Sequence, residues 1–242
     1  MKQKFLLLTM LVVVFSSFTT NILAQNKTSV IKNDSNFTTY KFEEIEFTLP
    51  NSFVEQTKEN RKIVNQYFRV SSFTIEEYVK LPGYLLNRKI FKMIENGETV
   101  TKQTFINYFE QNEKFILLDY SPMSVFVDSY NLENKNDMYI ESALYNSADG
   151  MLLSEYLSYS FEILKGEKIF SISIVSEIKD DFVNQYPEYF DVESSNKKWK
   201  FIDRKNNGWI SFYNDFISEN TKFPMYMRDL KIAYEIFIKT VK

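Results

Sequence analysis

A chain of 242 residues with 29 basic and 32 acidic side chains, 44% of it hydrophobic, is long enough to bury one large core, and it has neither cysteine nor histidine. Those two absences remove Ser-His-Asp and Cys-His nucleophilic machinery, disulfides, and ordinary zinc, haem or iron-sulfur ligation, so no metal or cofactor is expected. The basic residues alternate with acidic ones instead of forming the clustered face that phosphate binding needs, so nucleic acid is not an expected partner.

The chain opens with the layout of a secretory signal. Lys2 and Lys4 form a basic end, Phe5 to Phe18 an apolar stretch, and Ile22-Leu23-Ala24 lead to a cut before Gln25. An apolar run of about 14 residues falls short of the ~20 that span a bilayer, and polar Thr19, Thr20 and Asn21 follow it. Cleavage at 24 and no stable membrane insertion afterwards are therefore expected. Loss of Lys2 and Lys4 leaves 29 − 2 = 27 basic against 32 acidic residues, a formal charge of 27 − 32 = −5. The protein is expected to work in the periplasm or outside the cell. Its wealth of Asn, Lys, Ile, Phe and Tyr, with the Ala-Gln junction, resembles exported proteins of AT-rich Gram-negative bacteria.

Residues 25–36 carry little that could be buried and read as a flexible leader, so a single domain is expected over 37–242. Tyr40, Phe42, Ile45, Phe47 and Leu49 form a broken alternation ending at Pro50, as one opening strand with a bulge between Phe42 and Ile45 would. The segment FTLPNSF, Phe47 to Phe53, resembles the first strand of PsbP-like and Mog1-like domains. That resemblance covers those residues alone and assigns no family. Residues 51–73 have no clear period.

Thr74 and Glu77 make a capping box that starts a helix, which Pro82 and Gly83 interrupt. Leu86, Ile90, Met93 and Ile94 then share a helical stripe, with Gly97 just past its end. Phe105 to Phe109 fits either a short helix or a strand, and residues 98–113 as a whole stay open.

From Lys114 the period becomes two. Phe115–Asp119, Val125–Tyr130, Met138–Tyr145, Leu152–Leu164, Ile169–Ile178, Trp199–Asp203 and Trp209–Phe216 read as strands, with reversals at Asp149-Gly150, Gly166 and Asn207-Gly208. Connections this short require antiparallel neighbours. Pro224 suits a helix start, and Met227, Leu230, Tyr234, Phe237 and Val241 give the closing helix one apolar stripe. The fold class is thus α+β: a largely antiparallel meander with helices packed on one face and a C-terminal amphipathic helix.

In the run Leu157 to Glu177, the residues Leu157, Tyr159, Phe161, Ile163, Phe170, Ile172 and Ile174 point one way, and Ser158, Ser160, Ser171 and Ser173 the other. A core face backed by a small, solvated or closely covered face is the expected arrangement; an aromatic-lined cavity for an apolar ligand is the rival. A closed barrel with a final helix would resemble the lipocalin design, which has no place for the helical region between Thr74 and Asn112.

The remaining motifs are weak. Ser194-x-x-Lys197 and Ser195-x-x-Lys198 have the Ser-Lys spacing of penicillin-interacting enzymes without the companion elements. Asp203 to Gly208 resembles a calcium loop but has Lys205 at a ligand position, so a turn is expected. Asp180-Asp181 reads as helix caps before it reads as a catalytic pair. A two-residue turn at Asn207-Gly208 would place Arg204, Trp209 and Tyr213 together on a mixed hairpin face. These are the candidate residues for binding a sugar ring or a partner's side chain. The function expected is that of an exported, non-catalytic binding or assembly module for a protein, glycan or apolar ligand. The alternative is a carboxylate-only hydrolase such as a glycosidase, which needs two carboxylates flanking a cleft.

Overall fold

The computed structural model describes residues 28–57, 65–81, 88–110, 124–126, 131–135, 137–148, 155–193, 198–201, 208–218 and 223–242. The expected signal segment, the helix break expected at Pro82-Gly83, the reversal expected at Asp149-Gly150 and the strand expected at Phe115–Asp119 lie outside these residues.

Strands β1 (Ser29–Asn33), β2 (Phe37–Phe42) and β3 (Ile45–Pro50) form a three-stranded antiparallel sheet. The opening segment is therefore a hairpin and not one bulged strand. Phe42 pairs with Ile45 and Tyr40 with Phe47, so a two-residue turn at Glu43-Glu44 produces the same phase shift that a bulge would. A bulge does occur one strand earlier, at Ile31, where pairing jumps from Val30–Tyr40 to Lys32–Thr39. The middle of the expected leader is thus an edge strand, exposed at every position of β1.

A larger sheet contains β4 (Val54–Glu55), β5 (Gln66–Thr74), β6 (Ser124–Phe126), β7 (Asn131–Lys135), β8 (Met138–Ala148), β9 (Glu155–Lys165) and β10 (Lys168–Glu177). Its order is β4-β5-β10-β9-β8-β6, with β7 also on β8. All pairings are antiparallel except β4 with β5. The β9–β10 reversal uses Gly166 at φ 60, where a side chain would cost strain.

On one face of this sheet lie α1 (Ile75–Tyr78), α2 (Arg88–Glu95) and α3 (Lys102–Glu110). The expected capping box is present: Glu77 N–H donates to Thr74 Oγ1 at 3.2 Å, and Thr74 N–H donates to Glu77 Oε2 at 2.8 Å. Helix α2 ends as expected at Gly97, φ 75, where Glu98 N–H donates to the Met93 carbonyl and Gly97 N–H to that of Ile94. Tyr78, Ile90 and Phe105 of the three helices join Phe73, Leu164 and Ile169 of the sheet in a small buried cluster separate from the main core.

The opposite face carries the main core. Leu157, Tyr159, Phe161, Ile163, Phe170, Ile172 and Ile174 are buried as the alternation requires. The closing helix, last of the chain at Met225–Thr240, packs on it: Tyr234 stacks on Tyr159 at 4.3 Å and Phe237 meets Phe161 at 4.1 Å. Phe237 also meets Phe47 at 5.4 Å, and Phe47 meets Phe68 at 5.7 Å, so this helix and the three-stranded sheet share one core. The chain's own rings fill the aromatic face that could have lined an apolar cavity.

Beyond β10 come α4 (Asp180–Gln185), the paired strands β11 (Phe190–Glu193) and β12 (Lys198–Phe201), and α5 (Gly208–Ile217); the closing helix is α6. The strand expected at Trp209–Phe216 is helix α5. Its apolar residues 209, 212, 213 and 216 recur at intervals of three and four, which an aromatic-rich run satisfies as readily as partial alternation. Phe212 and Phe216, one turn apart, are buried and stack at 5.9 Å. Val192, not a residue of a 207–208 hairpin, pairs with Trp199.

Candidate functional site

Register places the polar face of the large sheet in transverse rows. Phe73, Ile169, Leu164 and Tyr139 lie side by side on β5, β10, β9 and β8; the next row on that face is Ser71, Ser171, Glu162 and Glu141; the one after is Arg69, Ser173, Ser160 and Ala143. The first row belongs to the cluster roofed by α1–α3. In the following two, Ser71, Ser171, Ser160 and Ser173 stay half-buried. They form a shelf about 10 Å across the strands and ~7 Å along them, from strand spacing and rise. Ser160 Oγ lies 3.3 Å from Ser173 Oγ across β9 and β10.

One corner of the shelf is basic. Arg69 is exposed, its guanidinium lies 5.1 Å from the Tyr67 ring, and it donates to Gln56 Oε1. Tyr67 in turn meets Tyr156 edge-on at 6.2 Å.

The other corner is acidic. Glu162 and Glu141 face each other across β9 and β8, with Cβ atoms about 5 Å apart as for any directly opposed pair. Glu141 is buried at 5% exposure. Tyr78 of α1, itself 1% exposed, donates its hydroxyl to Glu162 Oε1 at 2.5 Å. Glu162 keeps some exposed surface, yet enough protein surrounds its carboxyl to strip most of its water. That desolvation pushes its pKa from 4.5 up to about 7 against the opposing pull of the Tyr78 hydrogen bond. At neutral pH the carboxyl is therefore poised between acid and base, and can donate or accept a hydrogen bond.

Trp209 and Tyr213 sit on helix α5 instead of a hairpin, their side chains fall outside the described residues, and so does Arg204. Asp180 and Asp181 are exposed in the first turn of α4, where Lys179 occupies the N-cap without a side-chain cap bond. They complement the helix dipole and are not caps. Ser194, Ser195 and Lys197 lie outside the described residues, as do positions 203–207 of the calcium-loop match. Glu141, Glu162 and Tyr78 went unnoticed in the sequence. The available signal was a carboxylate in mid-strand among uncharged residues, YIESA and SFEIL, but only the β8–β9 register brings the two together.

Among the described residues no group of three or more carboxylates could hold a metal ion, and no helix is long and apolar enough to cross a membrane. No protein-family model matches the chain, and no curated protein does. Among solved structures, the chain is similar to the Ran-binding protein Mog1p of Saccharomyces cerevisiae, over 90% of this chain and 95% of that one, at 9% identity and a TM-score of 0.34.

Proposed function

We propose that this chain is an exported, non-catalytic binding or assembly module whose contact surface is the serine shelf. The observation that supports this reading is the half-exposure of Ser71, Ser160, Ser171 and Ser173 in the middle of paired strands, beside a row that helices roof and over a reverse face that is sealed. A solvated sheet face usually bears long charged side chains. This one is floored with small hydroxyls, each able to donate or accept, and bordered by a step at Tyr78. Such a floor suits a protein or glycan partner held by hydrogen bonds without fixed polarity. Export is supported by the basic, apolar and small-residue layout of residues 1–24.

The carboxylate pair lends some support to the hydrolase alternative, since Glu162 has the raised pKa of a general acid. Its placement disfavours that chemistry. Both carboxyls rise from adjacent strands on one face, whereas a glycosidase sets its two on either side of the scissile bond.

Backbone-amide NMR of the chain from Gln25 onward, titrated with soluble saccharides and with extended peptides, tests the reading. Shifts clustered on the four serines, and lost in a Ser160→Trp variant, support it. Clustering elsewhere would overturn the shelf. Aglycone release from aryl glycosides that disappears in Glu162→Gln would replace the module with the hydrolase.

A further inference from the structure

The shelf is a trough. On one side lies the roofed row of Phe73, Ile169 and Leu164, and on the other the row of Tyr67, Val175 and Ser158 is buried as well. The serines between them stay half-buried, in a strip about 7 Å wide along the strands. Strands β9 and β10 are each paired on both sides, so the backbone under this strip is consumed within the sheet. A ligand lying here meets side chains alone. That disfavours an extended peptide, which is read by main-chain pairing at an open sheet edge, and leaves hydroxyls and one cation as the recognition groups.

The cation is Arg69. It stands exposed on β5 directly opposite Ser173, which is itself opposite Ser160, so a guanidinium and two hydroxyls share one row with Cβ atoms about 5 Å apart at each step. Its Nε donates to Gln56 Oε1, its Nη2 donates to the Tyr67 hydroxyl at 3.5 Å, and its carbon lies 5.1 Å from the centre of the Tyr67 ring. Gln56 and Tyr67 are neutral, so they orient the guanidinium without cancelling its charge. These two bonds leave both N–H groups of Nη1 and one of Nη2 for an acceptor. A carboxylate fits such a fork in two-point fashion, and a guanidinium already stacked and bonded loses little freedom on binding it.

The hydroxyls extend the match. With Ser160 Oγ 3.3 Å from Ser173 Oγ, one donates to the other, and the pair offers one further O–H together with lone pairs. Adjacent hydroxyls of a sugar ring present the same mixture of donor and acceptor. We propose that Arg69, Ser173 and Ser160 form a subsite for an acidic saccharide, with a uronic-acid carboxylate on Arg69 and ring hydroxyls on the serine pair. This names the ligand class of the shelf and rests on the binding reading above. Acidic side chains outnumber basic ones by 32 to 29, so an anion gains nothing from the chain's overall charge and its capture is local. Gln56 is a positioning residue, which fixes Nε and so the direction of the fork.

Calorimetric and amide-NMR titrations of the chain from Gln25 onward test the assignment with three probes: a hexuronic-acid trisaccharide, the same trisaccharide with its carboxyls reduced to alcohols, and an N-acetylated tripeptide with a free C-terminal carboxylate. The uronate is expected to bind roughly tenfold or more tightly than its neutral counterpart, with shifts at 69, 160 and 173. Arg69→Gln should erase that preference, Arg69→Lys should keep part of it because a point charge replaces a fork, and Gln56→Ala should weaken it. Thermal melts confirm that each variant is folded. Equal binding of both saccharides on the serines would overturn the acidic subsite and leave the shelf standing. Shifts away from the serines with every probe, or failure of the uronate to bind at millimolar concentration, would overturn the subsite, and the first of these the shelf too. Tighter binding of the tripeptide than of the uronate, lost in Arg69→Gln, would replace the sugar with a peptide carboxylate.

Discussion

The ammonium of Lys168, at the start of β10, lies 2.9 Å from the carboxylate of Glu43, at the tip of the β2–β3 hairpin. Glu43 adopts φ 50, a conformation that non-glycine residues rarely hold, and its other oxygen accepts from Ser72 at 2.8 Å. Lys165 adds a bond to the Glu44 carbonyl at 2.8 Å. Two hairpin tips are thereby joined, which fixes how the small sheet sits on the large one.

Lys168→Met is expected to lower stability modestly, by under ~1 kcal/mol, because the pair is partly exposed and screened. The hydrogen bond from Lys168 to Glu43 raises the lysine pKa, so this contribution is intact at neutral pH and lost as pH climbs through the raised value. A double-mutant cycle with Glu43→Gln, read by urea melts at pH 7 and pH 11, checks both the size and the direction. A coupling undiminished at pH 11 would contradict the assignment.

Glu162 behaves in the opposite way to most carboxylates. Its folded pKa is raised, so its contribution is most favourable below about 4.5 and is lost as pH rises through about 7. Glu162→Gln, which keeps an acceptor for Tyr78, should be more stable than the parent at pH 8 by roughly 2 to 3 kcal/mol, with the gap closing toward pH 4.5. Thermal melts across that range decide it, and a gap that widens on acidification would be inconsistent with a desolvated acid.

Ser176 is fully buried on the core face of β10, opposite Gln66 and Leu157, and its hydroxyl has no hydrogen-bond partner among the described residues. Ser176→Ala is expected to stabilise the fold by about 1 kcal/mol, since an unpaired buried hydroxyl costs that much or more. Chemical denaturation with an unchanged m-value is the measurement.

Phe237 is fully buried where α6, β3 and β9 converge. Phe237→Ala should cost ~3 to 5 kcal/mol through lost contacts and the cavity left behind. Deleting residues 225–242 should unfold or aggregate the protein. Cooperative melting of the truncated chain at the parent temperature would make α6 a detachable docking element instead of part of the core.

Elements with one buried face were legible in the sequence. Helix α1 announced itself through Thr74 and Glu77, α6 through its stripe, and β8–β10 through alternation about Gly166. Strand β5 was not, because Phe68 and Val70 bury on the main core while Tyr67 and Phe73 bury on the other side, which erases the period of two. Helix α5 was misread because closely spaced aromatics fit both periods. The serine side of the sheet could be anticipated from residue order. The meeting of Glu141 with Glu162 could not, since it depends on a pairing register that no single strand encodes.

Glu46 and Lys242 exchange backbone hydrogen bonds at 3.0 and 3.1 Å, and Thr240 Oγ1 accepts from Thr48 N–H across 192 positions of sequence. The outer rim of β3 is thus closed by residues at the far end of the chain. Until those bonds form, this edge of β3 is an open template for any passing strand. Contacts this distant in sequence are of the kind that slow folding, because the intervening loop must close before they form. A lesion confined to residues 240–242 should show itself first as mispairing at residues 46–48.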